Sequence, residues 1–194
     1  MTDVPTLTSA TAANYCVINP LIGASTATIS NGNLTITKTS AADVVMVGTT
    51  APVNSGKYYW EATLTTVQSS SNVYLGVVKA PQTTTSAWVA SFANGVGWQG
   101  GTTGKIYTTT VSAGTANYSS GQVCGLALDM GAGTLSLYIN NSLIGTISGV
   151  TTSIPHYPMW DGYGNSEVVN FNFGQQPFTY TPPSGFVALN TFNL

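Results

Sequence analysis

The sequence predicts an all-β protein, a β-sandwich or jelly roll. Three observations predict it. Short segments rich in β-branched and aromatic residues recur along the chain, and several alternate apolar and polar residues at period 2. Gly- and Asn-bearing turns separate these segments at the spacing, about 8–12 residues, that sandwiches show. No segment sustains a 3.6-residue apolar period with helix caps.

The elements follow in order. Thr26 to Thr37 reads as a hairpin around Asn31-Gly32, because a type I′ turn needs positive φ at both central residues. In the segment Lys57 to Leu64, Tyr58, Trp60, Ala62 and Leu64 share one face. Lys57, Glu61 and Thr63 share the other, which makes a half-buried strand with Glu61 on the solvent side. Val73 to Val78 is a strand with Val73, Leu75 and Val77 on one side. Val123 to Leu128 and Thr134 to Ile139 flank the loop Asp129-Met130-Gly131-Ala132-Gly133, where the Asp129 carboxylate is suited to cap its own turn. Asn140-Asn141-Ser142 then turns the chain into Leu143 to Ile147. In Val168 to Phe173, Val169, Phe171 and Phe173 lie opposite Val168, Asn170 and Asn172. Ser69–Asn72, Pro81–Ser86 and Gly100–Gly104 read as loops, and Trp160 to Asn165 as another. Trp60 and Trp98 read as core. The tail from Pro177 to Leu194, with Pro182-Pro183 and Gly185, reads as an extended closing segment packed by Phe178, Tyr180, Phe186 and Leu189. One domain over 1–194 is expected, with a core at about 54–174. Strands from 14–50 and a tail at 175–194 pack on it. No repeat with a period of about 20–50 residues is present.

Charge is the most unusual property of the composition. Only 5% of the 194 residues are Asp, Glu, Lys or Arg, whereas 43% are hydrophobic. An ordinary domain carries about 25% charged residues. All four cations are lysines, Lys38, Lys57, Lys79 and Lys105, and the net charge is −2. Nucleic-acid binding needs a patch of Lys and Arg to neutralise phosphates, so no nucleic-acid partner is expected. Docking on anionic lipid fails for the same reason, and no apolar run suits membrane insertion. The start, Met1-Thr2-Asp3-Val4-Pro5, is not a basic-then-apolar leader, so export by the usual route is not expected. Cys16 and Cys124 read as two buried free thiols rather than a disulfide. The sequons at Asn33, Asn117 and Asn140 read as accidents of an Asn/Thr/Ser-rich composition.

Several stretches together resemble a SPRY (B30.2-like) domain. They are Gly56-Lys57-Tyr58-Tyr59-Trp60-Glu61, Tyr74-Leu75-Gly76-Val77-Val78 and Gly95-Val96-Gly97-Trp98. The run from Gly121 to Asn141 is the most specific. It is similar to the family's G-D-x-x-G-x-x-x-D-x-x-x-G-T-L-S-F-Y-x-N-G, with Gln122 for the usual Asp and Asn141 for the usual Gly. Val169-Asn170-Phe171-Asn172-Phe173-Gly174 matches the closing strand. The flanks, Asn19-Pro20-Leu21 before Ser30 to Thr35 and Gln176 to Asn190, resemble SPRY-containing proteins of tailed bacteriophages. The resemblance implies a bent antiparallel two-sheet β-sandwich, concanavalin-like in outline, and a noncatalytic interaction module that binds through variable loops at one end. The partner does not carry over.

Glu61, Asp129, Asp161 and Glu167 are the acids outside the N-terminal region, and a glycosidase needs two of them about 5–10 Å apart. Glu61 on a solvent face and Asp129 in a turn favour structural roles. His156, the single histidine, reads as a loop residue between Pro155 and Pro158. One histidine with two scattered cysteines gives no metal spacing, so no metal and no cofactor are expected. Gly95-Val96-Gly97 and Gly100-Gly101 lack a phosphate-loop lysine and helix. An aromatic, amide-bearing surface could hold neutral sugar, and Trp88, Trp160, Asp161, Tyr163 and Asn165 are the candidate ligand- or partner-binding residues. Threonine runs at Thr83–Thr85 and Thr108–Thr110 suit a neutral surface for assembly, because Lys and Glu are depleted from interfaces. The first expectation is a structural protein on the exterior of a tailed phage virion, a capsid decoration or head-fibre component. It would be held by contacts with other virion proteins and would itself be able to form a homo-oligomer. The alternatives are a tail or fibre adhesion module for host surface glycan and an intracellular adaptor for peptides.

Overall fold

The computed structural model describes residues 13–21, 25–79, 95–106 and 109–194. Among these, the strands are β1 (Ala27–Ser30), β2 (Thr35–Lys38), β3 (Val44–Val47), β4 (Lys57–Thr66), β5 (Val73–Lys79), β6 (Gly95–Gln99) and β7 (Thr103–Ile106). They continue as β8 (Thr109–Thr115), β9 (Gln122–Asp129), β10 (Thr134–Ile139), β11 (Ser142–Ser148), β12 (His156–Gly162), β13 (Val168–Asn172) and β14 (Val187–Ala188). They form the expected sandwich of two antiparallel sheets. The larger has the order β1-β2-β13-β4-β9-β10-β11, the smaller β3-β12-β5-β6-β7-β8. Short β14 adds a parallel pairing beside Tyr58 and Tyr59 of β4.

The core fills the space between the sheets. Tyr58, Trp60, Ala62 and Leu64 of β4 meet Leu75 and Val77 of β5, Trp98 of β6 and Trp160 of β12 in one buried cluster. Each large side chain buried this way contributes about 1.5–3 kcal/mol. Trp98 also donates from Nε1 to the Ala113 carbonyl at 2.9 Å, and the Tyr118 hydroxyl donates to the Trp98 carbonyl at 3.1 Å. The alternation predicted for β13 holds, with Val169 and Phe171 buried and Val168, Asn170 and Asn172 half-buried. Cys16 and Cys124 are free and buried, as read from the sequence.

Turn chemistry fixes the registers. The β10–β11 hairpin turns on two residues, Asn140 (φ 48°) and Asn141 (φ 66°), both left-handed as a type I′ turn requires. Asparagine tolerates that region, so the departure from the family's glycine at Asn141 leaves the turn intact. Asp129 caps its turn as expected, its Oδ1 accepting from the Ala132 N–H at 2.8 Å. Burial pushes that carboxyl up, but the Ala132 N–H and the Lys57 ammonium, 3.1 Å from Oδ2, together hold it below the usual range.

After β13 the chain leaves the large sheet at Gly174 (φ 104°), crosses its outer face, and returns as β14. Phe178 meets the Tyr59 ring edge-on at 5.0 Å, and the backbone N–H groups of Thr179 and Tyr180 donate to the Glu61 carboxylate at 2.8 and 2.9 Å. Leu189 then enters the core, and its carbonyl accepts from the Cys16 N–H at 3.1 Å. This strap is the predicted closing segment.

Five expectations need correction. Glu61 is on the predicted outer face but is 1% exposed, because the strap covers it. Trp160 and Asp161 are not loop residues; they lie in β12, each 1% exposed. His156 opens the same strand and is fully buried. Gly100–Gly104 is not all loop, because β7 begins at Thr103. The β1–β2 turn has four residues, Asn31 to Leu34, not two. Asn31, Gly32 and Asn33 are all left-handed, and the Leu34 N–H returns to the Ser30 carbonyl at 3.1 Å. Trp88 and Thr83–Thr85 lie outside the described residues, as does Thr108.

Candidate functional site

Of the predicted site residues, the structure brings two to the surface together. β12 ends at Gly162, and the connection to β13 carries Tyr163 and Asn165, both exposed, with Tyr163 at 48%. Trp160 and Asp161 lie beneath them and cannot meet a ligand in this arrangement. The connection is held from both sides. Tyr163 donates its N–H to the Asn72 carbonyl at 3.1 Å, and Asn165 donates its N–H to Gln68 Oε1 at 3.0 Å. Gly164 donates to Glu167 Oε2 at 3.1 Å. Ser166, at φ 62°, completes the tight return.

A buried charge cluster anchors this loop. Lys38, Asp161 and Glu167 are 2%, 1% and 1% exposed. The Lys38 N–H donates to the Glu167 carbonyl at 2.8 Å, tying the end of β2 to the loop. The Lys38 ammonium donates to the Ala42 carbonyl and, at 3.4 Å, to Thr26 Oγ1. Burial lowers the Lys38 pKa, while Glu167, Asp161 and Asp43 pull it back up. Burial raises the Glu167 carboxyl, opposed by the backbone N–H groups of Gln68 and Gly164 and by Lys38. Burial, and then Asp161, raise the Tyr74 phenol. Removing one partner from such a cluster leaves uncompensated buried charge and costs about 3–5 kcal/mol.

Neighbouring loops extend the surface. A 3-10 turn at Ser70–Asn72 links β4 to β5, and Ser70 Oγ accepts from the Tyr118 N–H at 2.7 Å. Val67 donates its N–H to Ser120 Oγ at 2.9 Å, and Gln99 Nε2 donates to the Ser71 carbonyl at 3.2 Å. Gln68, Ser69, Asn117 and Ser119 are exposed beside Tyr163 and Asn165. Among the described residues, the result is an interlocked, uncharged loop end from which the Tyr163 ring protrudes. Such a surface loses little on desolvation and suits contact with another macromolecule.

Both cysteines and His156 are sequestered. Burial pushes the Cys16 thiol up to about 11 and the Cys124 thiol higher still, so both stay protonated near neutral pH. His156 Nδ1 lies 2.8 Å from the Ile154 carbonyl, and burial lowers its pKa. Among the described residues no cluster of three or more His, Cys, Asp or Glu is placed to hold a metal ion.

Sequence reasoning missed the Lys38–Asp161–Glu167 cluster. One signal was present: at period 2, Lys38 shares the face of Ile36, which is a core face.

The fold is that of known SPRY structures. The chain matches the SPRY domain of human HERC1 at 18% identity and a TM-score of 0.66, over 82% of this chain and 99% of that one. It matches the TRIM65 PSpry domain at 15% identity and 0.62, over 82% and 93%. It matches the stonustoxin structure at 18% identity and 0.59, over 81% of this chain and 27% of that one. Nothing among curated protein sequences matches. A family model described as the SPRY domain covers residues 57–176, more than half of the chain. The chain belongs to the SPRY domain family.

Proposed function

We propose that this chain is a noncatalytic protein-binding module that works on the exterior of a tailed phage virion, as a capsid decoration or head-fibre component. SPRY domains are interaction modules, and that much follows from the family. The observation that carries the reading further is the loop end around Tyr163 and Asn165, rigidly anchored from below and free of charge on its surface. An uncharged contact surface favours packing against neighbouring subunits, where Lys and Glu are depleted. The resemblance of Asn19 to Thr35 and of Gln176 to Asn190 to phage SPRY proteins supports the virion setting.

The test is particle fractionation. Tailless heads purified from the lysate should retain the chain, and Tyr163→Ala with Asn165→Ala should reduce its retention at least about tenfold, as for loss of an aromatic anchor. Recovery in tail fractions alone overturns the capsid placement. Undiminished retention of the double variant overturns the loop end as the contact. The host-adhesion reading through Trp160 to Asn165 keeps Tyr163 as an exposed ring but not Trp160, which is buried.

A further inference from the structure

The strap that covers Glu61 also walls a cleft whose lining shares no residue with the loop end. The cleft lies on the outer face of the large sheet and has a volume of about 230 Å³. It is bounded by the β1–β2 turn, by β4 and β13, and by the strap from Gln175 to Thr179. That volume equals about seven or eight water molecules.

Two sets of groups line it. The first set is already committed and makes the floor rigid. Asn170 accepts from Thr35 Oγ1 and donates to Thr65 Oγ1, both at 2.6 Å. Asn172 donates to the Pro177 carbonyl at 3.1 Å and accepts from the Gly174 N–H at 2.9 Å. Glu61 spends both oxygens on the Thr179 and Tyr180 N–H groups. The second set is unused. The side chains of Asn31, Thr63, Gln176 and Thr179 line the cleft and make no hydrogen bond among the described residues. Leu34 and Pro177 add a small apolar edge.

This lining selects a ligand class. No lysine or arginine lines the cleft, and the Glu61 carboxylate disfavours a second anion. A cation finds that carboxylate already occupied by the strap. An extended peptide finds no open ladder, because β13 is paired on both sides, by β2 and β4. Two free carboxamides and two free hydroxyls in a mostly polar cleft match a compact neutral ring that carries hydroxyls. We propose that this cleft binds one neutral sugar residue, a hexose or N-acetylhexosamine, with Asn31 and Gln176 as its principal hydrogen-bonding groups. Each hydroxyl taken from water then regains a partner, which is the condition for burying it.

Saturation-transfer NMR on the full chain tests this. The probes are glucose, galactose, mannose, N-acetylglucosamine and N-acetylgalactosamine, each at about 1–5 mM, the range for a single weak site. N-acetylneuraminic acid is the charged probe, and a neutral Thr/Ser hexapeptide the extended one. At least one neutral sugar should receive saturation. The variant carrying Asn31→Gly and Gln176→Ala should bind it at least about tenfold more weakly. Glycine keeps the left-handed turn at position 31 (φ 52°), so the variant should fold, which its Tm checks. Exposed Leu143 on β11 supplies the control, and Leu143→Ser should bind sugar as the parent does. No transfer to any neutral sugar, equal transfer in the double variant, or preferential transfer to the acidic sugar or the peptide each overturns the proposal. Head retention through Tyr163 reads a different surface, so the two readings fail separately.

Discussion

Three donors converge on the Glu61 carboxylate: the Thr179 and Tyr180 N–H groups at 2.8 and 2.9 Å and the Tyr59 hydroxyl at 3.2 Å. A buried donor left without an acceptor costs about 1–3 kcal/mol. Glu61→Ala should therefore destabilise the fold by at least about 3 kcal/mol in urea denaturation, and Glu61→Gln by less, since the amide keeps one acceptor. An unchanged midpoint for Glu61→Ala would mean that the strap is not held there. The titration of His156 gives a second residue-scale test. Its pKa is lowered in the fold by burial, so the unfolded chain binds the proton more readily. Its contribution is full above the ordinary value of about 6.5 and is lost as pH falls below it. Glu167 has the opposite sign: its raised pKa means that the folded chain takes up the proton first, so acidification from that raised value towards about 4.3 restores stability. The stability of His156→Gln should fall less steeply than that of the parent from pH 7 to about 5.5, and Glu167→Gln should remove the compensating rise at lower pH. Alternation in the sequence put Glu61 on its correct face. What hides that face comes from a strap more than a hundred residues away, and no local pattern encodes it.

The edges of the two sheets meet where β8 passes β11. A Cβ on Gly145 would fall on the Ala113 carbonyl, and one on Gly114 would fall on the Ile144 carbonyl. The contact is backbone on backbone, so no side chain can move aside. Gly145→Ala should destabilise the chain by about 2 kcal/mol or more, the range for overpacking that the backbone must absorb. Gly121 gives the contrast: its φ is 84° but open space surrounds it, so Gly121→Ala should cost about 1 kcal/mol of backbone strain alone. Equal losses in thermal denaturation would show that the β8–β11 approach is not tight. Elements with one wet face, such as β10 and β13, were legible because burial there follows the pleat. β12 was not, since His156, Pro158, Trp160 and Asp161 are buried together on both faces and leave no alternation to read. Two prolines and a Gly-Tyr-Gly stretch then imitate a loop, and the candidate site inherited that error at Trp160 and Asp161.

At the scale of the molecule, the scarcity of charge becomes a statement about where charge sits. Of the nine charged residues among those described, five, Lys38, Glu61, Asp129, Asp161 and Glu167, are buried. The ion pair at the surface, Lys57 with Asp129, is half exposed on its lysine side, where such pairs contribute about 0–1 kcal/mol. Salt screens exposed charges within a Debye length of about 8–10 Å near physiological strength, and barely reaches buried ones. The urea midpoint should therefore shift by less than about 0.5 kcal/mol equivalent between low salt and about 0.5 M sodium chloride. The same logic extends to the partner. A contact made through Tyr163, Asn165 and neighbouring Gln, Ser and Asn side chains carries no charge to screen on this side. Its association rate should lie in the range of about 10⁵–10⁶ M⁻¹s⁻¹ typical without electrostatic steering, and should not fall as salt rises. Heads washed in about 0.5 M sodium chloride should keep the chain as fully as heads in low salt. Stripping by salt alone would mean that the holding contact runs through exposed Lys57 or through another charged residue, and would move the interface away from the loop end.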